Sequence, residues 1–344
     1  MSSVPSAPSA AEPRRLRVLS AVGSGAFTPQ SEAHLARRLA EHGELLATVD
    51  GFSTPSERAA LAAAEVLVTG WRTPRIDESV LDAAPNLRWI LHIAGSVKEQ
   101  LCAAVWDRGI QVTSAVDANA VPVAEFTLAA ILLANKRVIE IARTYRERRA
   151  SVDQAGLGVV GNYRRTVGIV GASRIGRRVV DLLRPFDLEV RLFDPTLSDE
   201  EVRALGATPA SLEELCRTCD VVSVHAPSLP ATHGLISAAH IASMPQGATL
   251  INTARGEIVD QHALTARVLS GDLHAVLDVT VPWVLPEDHP LYDHPHVLLT
   301  PHIAGSVGTE VDRMIDAQID ELRRISIGEA LAHPVRAETL VTAA

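Results

Sequence analysis

The stretch Thr166–Pro195, TVGIVGASRIGRRVVDLLRPFDLEVRLFDP, constrains the fold more than any other part of the chain. Val167–Val170 reads as a short apolar strand, Gly171 as the start of a tight turn and the segment from about Arg174 as a helix. A second apolar strand then ends at Asp194. A strand, helix, strand unit of about thirty residues with a glycine-bounded turn is the arrangement that binds a dinucleotide. Gly171 makes the turn, and the helix start offers backbone N–H groups and a positive dipole end to a pyrophosphate. Gly176 lets helix and strand pack closely. Asp194 is placed to accept hydrogen bonds from ribose hydroxyls and repels a 2′-phosphate, which favours NAD over NADP. The middle glycine of the G-x-G-x-x-G pattern is replaced by Ser173, whose hydroxyl can donate to a phosphate oxygen.

The chain has 344 residues, long enough for two domains, and 41 acidic against 32 basic side chains. That balance, with no basic run, argues against a nucleic-acid or anionic-membrane partner. Cys102, Cys216 and Cys219 are too few and scattered for a disulfide framework, which points to a reducing compartment. Cys216 and Cys219 form a C-x-x-C on the helical segment SLEELCRTC. With no second pair near it, this reads as a buried helix face and no metal site is expected. No apolar run reaches membrane-spanning length, and residues 1–15 have no hydrophobic signal core and read as disordered. The expectation is a soluble, cytoplasmic protein.

In chain order, Leu16–Val22 reads as a strand, Glu32–Glu41 as a helix, Val66–Thr69 as a strand and Glu78–Ala84 as a helix. Trp89–Ile93 is a strand running into Ala94-Gly95-Ser96, small residues whose backbone N–H groups are candidates for gripping a carboxylate. Leu101–Arg108 reads as a helix and Ile110–Ser114 as a strand. Pro122 opens a long helix to Arg149, apolar over too much of its circumference for a surface helix, which implies burial under a partner subunit. A loop, Ala155–Asn162, leads to the dinucleotide unit. Helices at Asp199–Leu205 and Ser211–Cys216 then alternate with strands at Val221–Val224, Ala248–Asn252, His274–Leu277 and Val297–Thr300. Strands separated by helices predict an α/β fold with a parallel, doubly wound sheet. The strand ends carry His225-Ala226-Pro227, Thr253-Ala254-Arg255, Asp278 and Pro301-His302, at the edge where such sheets bind ligands. His289, His294 and His296 read as a polar loop. The tail, Thr309–Ile327, is a helix expected to return to the first domain.

VGIVGASRIG, DVVSVHAP, INTARGEIVD, LDVT and LLTPHIAGS occur in the order and spacing of the NAD-dependent D-2-hydroxyacid dehydrogenases, which the chain resembles from Leu16 onward. The resemblance implies two doubly wound Rossmann-like domains, the cofactor domain inserted in the substrate domain. The substrate domain would take residues 16–117 and 306–344, and the NAD domain 118–305. It implies a homodimer formed through the Pro122–Arg149 helix. It makes Arg255 the grip on the substrate carboxylate and carbonyl, and His302 the acid that protonates the carbonyl oxygen as hydride arrives. It assigns Gly171, Ser173, Arg174, Ile175 and Gly176 to the pyrophosphate turn, Asp194 to the ribose and Asp278 to the nicotinamide amide. Ala226, Pro227, Thr253, Ala254 and Gly305 join them at the cofactor, and Ala94, Gly95 and Ser96 take the substrate carboxylate.

One departure stands out. The family carries a Glu-Pro pair shortly after its LDV motif, and here, with no change in length, Trp283 and Val284 replace it. The family's glutamate bonds the far nitrogen of the histidine. An indole has one N–H donor and no acceptor, so it cannot stabilise an imidazolium. Trp283 is expected to lower the pKa of His302, to donate to that far nitrogen, and to reshape the substrate pocket. Glu287 and Asp288 substitute only if the loop rearranges. The implied activity is hydride transfer between NAD(H) and a small 2-hydroxy or 2-keto acid with an altered histidine relay. The alternatives are another NAD-assisted reaction on an anionic substrate, or a weakened enzyme serving as an NAD-binding regulator.

Overall fold

A computed structural model describes residues 14–151, 153 and 157–340. The expected disorder of residues 1–15 falls, from 1 to 13, outside the described residues, as do 155 and 156 of the expected Ala155–Asn162 loop. The chain divides into two compact units. One runs to Asn119 and resumes at Val307, and the other is Ala120–Ser306.

In the first unit, β1 (Leu16–Ser20), β2 (Gly43–Thr48), β3 (Val66–Gly70), β4 (Trp89–Ile93) and β5 (Gln111–Ser114) form a parallel sheet in the order β2-β1-β3-β4-β5. A two-residue strand, Pro334–Val335, pairs antiparallel with β5 at the edge. The central strands are apolar runs, not alternations, because both faces are covered by helices. Helix Glu310–Ser326 packs on helix Pro29–His42. Its Met314, Ile315, Ile319 and Leu322 join Leu16, Val18 and Leu91 in one core, so the tail does return to the first domain. Among the elements the sequence reading did not give are the edge strand Pro334–Val335, β2 and a short helix. β2 is a half-exposed edge strand with little apolar signal, and helix Pro55–Ala63 is set by a capping box between Thr54 and Glu57.

The second unit contains β6 (Arg165–Val170), β7 (Leu188–Phe193), β8 (Thr208–Pro209), β9 (Val221–Val224), β10 (Thr249–Asn252), β11 (His274–Leu277) and β12 (Val297–Leu299). They are parallel throughout, in the order β12-β11-β10-β9-β6-β7-β8. The order reverses at β6, so the turn at Gly171 stands at the switch point of a doubly wound sheet. Parallel pairing brings Gly171, Asp194, His225, Thr253, Asp278 and Thr300 to one edge. Cys216 and Cys219 lie in the core, and burial pushes both thiols up to about 12.

The long helix differs from expectation. It starts at Val116, with Pro122 inside it, and stops at Asn135. Ala115 already accepts the Asn119 N–H, and proline forfeits only its own bond to the preceding turn. The chain then breaks at Arg137, which is left-handed at φ 52°, and a second helix runs Val138–Arg148. By length and composition Val116–Asn135 meets the requirement for crossing a membrane, contrary to the sequence reading. Its Ala124, Ala130, Ile131 and Ala134 pack with Ile169 and Val179 in the core beside β6.

Within β6, a Cβ on Gly168 would lie 2.0 Å from Leu215 Cδ2 and 2.6 Å from Leu215 Cγ, in a core where Leu215 is fully buried. Gly168→Ala is therefore expected to destabilise the protein by about 1–3 kcal/mol through overpacking, read from the midpoint of urea unfolding.

Candidate active site

The turn after β6 is shaped by two close approaches. Gly171 has φ +100°, and a Cβ there would come within 2.7 Å of the Ala226 nitrogen. A Cβ on Gly176 would lie 2.0 Å from the Gly171 carbonyl oxygen. Gly171 is therefore demanded by the chain after β9, and Gly176 by the backbone of the turn itself. Helix Arg174–Leu183 follows with Ser173 as its N-cap, the Gly176 N–H donating to Ser173 Oγ at 3.3 Å. The cap uses the hydroxyl oxygen, and the expected donation to a phosphate would use its hydrogen. Asp194 accepts the Ala172 N–H (2.6 Å), the Thr196 N–H (2.8 Å) and the Thr196 hydroxyl (2.6 Å). Burial works against its charge, but these bonds and nearby Arg177 outweigh it, and its pKa lies below the usual carboxylate value. An ionised acid at the end of β7, a helix N-terminus and a glycine turn that excludes Cβ atoms together fit a dinucleotide.

Three strands to the other side, β11 delivers Asp278, which is 1% exposed. Its carboxylate accepts the Thr300 hydroxyl (2.7 Å), the Ile303 N–H (2.8 Å) and the Ala304 N–H (2.9 Å). Its backbone carbonyl accepts the His302 N–H at 2.9 Å. The loop after β12 is thus tied down on both sides of His302, which sits in the left-handed region at φ 57°. Burial lowers the pKa of His302; the charge of Asp278 opposes that and the charge of Arg255 adds to it.

Arg255 follows β10 in a turn closed by Asn252. The Asn252 amide donates to the Arg255 carbonyl (2.8 Å) and its oxygen accepts the Ala254 N–H (3.1 Å). Arg255 Nη1 donates to the Ala254 carbonyl at 2.7 Å. The loop bearing Trp283 is equally constrained. Gln261 donates to the Val281 carbonyl (2.7 Å) and accepts the Val281 N–H (2.8 Å), and Thr280 donates to the Pro282 carbonyl at 2.8 Å. Trp283 lies against the His302 ring, with centroids 4.6 Å apart and planes inclined by 39°. His302 Nδ1 is buried with no hydrogen-bonding partner among the described residues. Trp283 therefore does not donate to the histidine; it covers the ring by tilted stacking, because the pinned loop presents the indole's face. The indole remains 66% exposed.

Residues 128–304 match the family model "D-isomer specific 2-hydroxyacid dehydrogenase, NAD binding domain". The chain is 31% identical to the glyoxylate reductase of Korarchaeum cryptofilum (strain OPF8) over 78% of its own length and 82% of that protein. The chain belongs to the D-isomer specific 2-hydroxyacid dehydrogenase family. It is also 32% identical to the D-3-phosphoglycerate dehydrogenase of Mycobacterium tuberculosis (strain ATCC 25618 / H37Rv), over 82% of this chain but 53% of that protein. It thus spans about half the length of the D-3-phosphoglycerate dehydrogenases it matches. Among solved structures, a protein from Thermus thermophilus is similar with TM-score 0.73 and 32% identity, over 93% of this chain and 100% of that one. The NAD-dependent formate dehydrogenase of Staphylococcus aureus, in complex with NAD, is similar with TM-score 0.71 and 26% identity, over 91% and 96% of the two chains.

NAD is the cofactor of this family's second domain, and the residues present fit it. Gly171, Ser173, Arg174, Ile175, Gly176, Asp194, Ala226 and Pro227 gather around the β6 turn, and Thr253, Ala254, Arg255, Asp278, His302 and Gly305 follow β10 to β12. Ala94, Gly95 and Ser96 belong to the first unit, after β4. Sequence reasoning missed Asn252, Gln261 and Thr300. Asn252 bonds its own turn, while Gln261 and Thr300 bond residues about twenty positions away, and a lone Asn, Gln or Thr carries no recognisable motif. His225 reads from the sequence only as a strand end. It is 3% exposed, bonds Ser223 Oγ at 2.9 Å and is held neutral by burial, its pKa down to about 3. His296, expected in a polar loop, instead packs on His274 with centroids 4.3 Å apart.

Gly171→Ala forces a Cβ into both the left-handed backbone and the Ala226 chain. It is expected to cost about 1–3 kcal/mol of strain and to weaken NADH binding by roughly tenfold or more, read by NADH fluorescence titration. Asp278→Asn turns an amide N–H₂ toward donors that need an acceptor. Denaturant melts are expected to show about 1–3 kcal/mol of lost stability.

Proposed function

We propose that the protein is an NAD-dependent oxidoreductase that transfers a hydride between NAD(H) and a small 2-hydroxy or 2-keto acid, with an altered histidine relay. The observation that carries this reading is Arg255 and half-buried His302 at the same strand edge as the Gly171 turn and Asp194. When bound, NAD supplies the hydride acceptor or donor. Arg255, permanently charged and forked, holds the substrate carboxylate and polarises the carbonyl. His302 gives a proton to the carbonyl oxygen in reduction and takes one from the hydroxyl in oxidation. Asp278 positions His302, and Trp283 excludes water from one face of the imidazole.

Residues 16–117 and 306–344 serve as the substrate domain in this reading, with Ala94, Gly95 and Ser96 offering backbone N–H groups to the carboxylate. Residues 118–305 serve as the NAD domain; the compact units divide a residue or two later, after Asn119 and Ser306. The enzyme works in the cytoplasm as a homodimer, joined through the Pro122–Arg149 segment, where Leu133, Val138 and Tyr145 are exposed. It needs no nucleic-acid or membrane partner. His302 with a bare Nδ1 under an indole also supports the second reading, an NAD-binding regulator with weakened catalysis.

The pH dependence follows from the lowered pKa of His302. Reduction needs the protonated ring, so its rate is expected to fall as pH rises through a value below the ordinary histidine range. Oxidation, which needs the neutral ring, persists into acid. Trp283→Glu restores an acceptor beside the imidazole and is expected to move the fall toward neutral pH, raising the rate of reduction at pH 7 by about tenfold or more. The measurement is NADH oxidation with a panel of 2-keto acids from about pH 5 to 8, spanning the ordinary histidine range. No turnover by either protein, with NADH binding intact, favours the regulator.

A further inference from the structure

At the amino-terminal edge of the second unit's sheet, away from the strand ends that carry Arg255 and His302, three side chains converge from distant parts of the chain. Glu140 comes from helix Val138–Arg148, His274 begins β11 and His296 directly precedes β12. Their potential ligand atoms all lie within 4.8 Å of one another. His274 Nε2 is 3.7 Å from Glu140 Oε2, and His296 Nε2 is 4.0 Å from Glu140 Oε1. These separations exceed a hydrogen bond, so the cluster is not a set of closed ion pairs. They approach the roughly 3.4 Å between donors around a tetrahedral ion with bonds of about 2.0–2.2 Å. The side chains are 10% exposed for His274, 17% for His296 and 21% for Glu140, and they line a cavity of about 10 Å³, room for one water-sized occupant.

The carboxylate is already oriented. Arg137 donates Nε to Glu140 Oε2 at 2.7 Å and Nη2 to Oε1 at 2.8 Å, leaving each oxygen a further lone pair. Outer partners of this kind fix the geometry of metal-binding carboxylates. We infer that Glu140, His274 and His296 form a binding site for one divalent ion of the zinc class, held by both Nε2 atoms and a Glu140 oxygen, with water completing the shell. Two imidazoles and one carboxylate select zinc-like ions over magnesium or calcium. The ion ties helix Val138–Arg148 to the starts of β11 and β12 and takes no part in hydride transfer.

The test is titration of the metal-stripped full chain with Zn²⁺, and with Co²⁺ for its visible spectrum, followed by thermal unfolding with and without Zn²⁺. One equivalent is expected to bind, Zn²⁺ displacing Co²⁺, and to raise the unfolding midpoint. Glu140→Gln and His296→Gln are each expected to weaken binding by at least about tenfold, while the exposed His233→Gln binds as the wild type does. Circular dichroism confirms that the variants fold. No saturable binding by the wild type, or wild-type affinity in either cluster variant, overturns the site.

Discussion

A single buried carboxylate organises the strand edge of the second unit. Asp278 is removed from water, and an isolated charge there is untenable unless donors surround it. Thr300, Ile303 and Ala304 supply them, and in doing so they wrap the loop after β12 around the acid and leave His302 in a left-handed backbone. The position of the imidazole is therefore a consequence of satisfying a charge on the neighbouring strand. Asp278 acts on the ring a second time through its field, which favours the imidazolium against the burial that disfavours it.

Beside that acid, Trp283 lies against the His302 ring, with centroids 4.6 Å apart. The loop that carries the indole is held by Gln261 and Thr280. What the indole offers the imidazole is the face of an aromatic ring, and Nδ1 has no hydrogen-bonding partner among the described residues. Desolvation then dominates the histidine, and the protonated form becomes harder to reach.

Much of the frame is legible along the chain. Val221–Val224, His274–Leu277 and Trp89–Ile93 are strands over the residues expected, because apolar runs of four or five between helices have few other uses in an α/β fold. The glycine turn and Asp194 are equally plain, since their spacing within one β-α-β unit is local. The helix around Pro122 is less so: proline is a start signal in the sequence, whereas the carbonyl of Ala115 has already begun the helix. β2 escapes notice because an exposed edge strand has no strong period.

The sequence by itself determined the parallel, doubly wound sheet, the glycines that the β6 turn demands, Arg255 and His302 just past strand ends, and Trp283 on the loop between β11 and β12. These follow from short-range chemistry: which residues tolerate a left-handed turn, which bury, which titrate. Only the tertiary structure decided that Trp283 stacks on His302 instead of donating to it, that Gln261 and Thr300 position the site, and that Glu140, His274 and His296 meet. Each of those facts depends on a distance between residues brought together by packing, and no local pattern records how the elements pack.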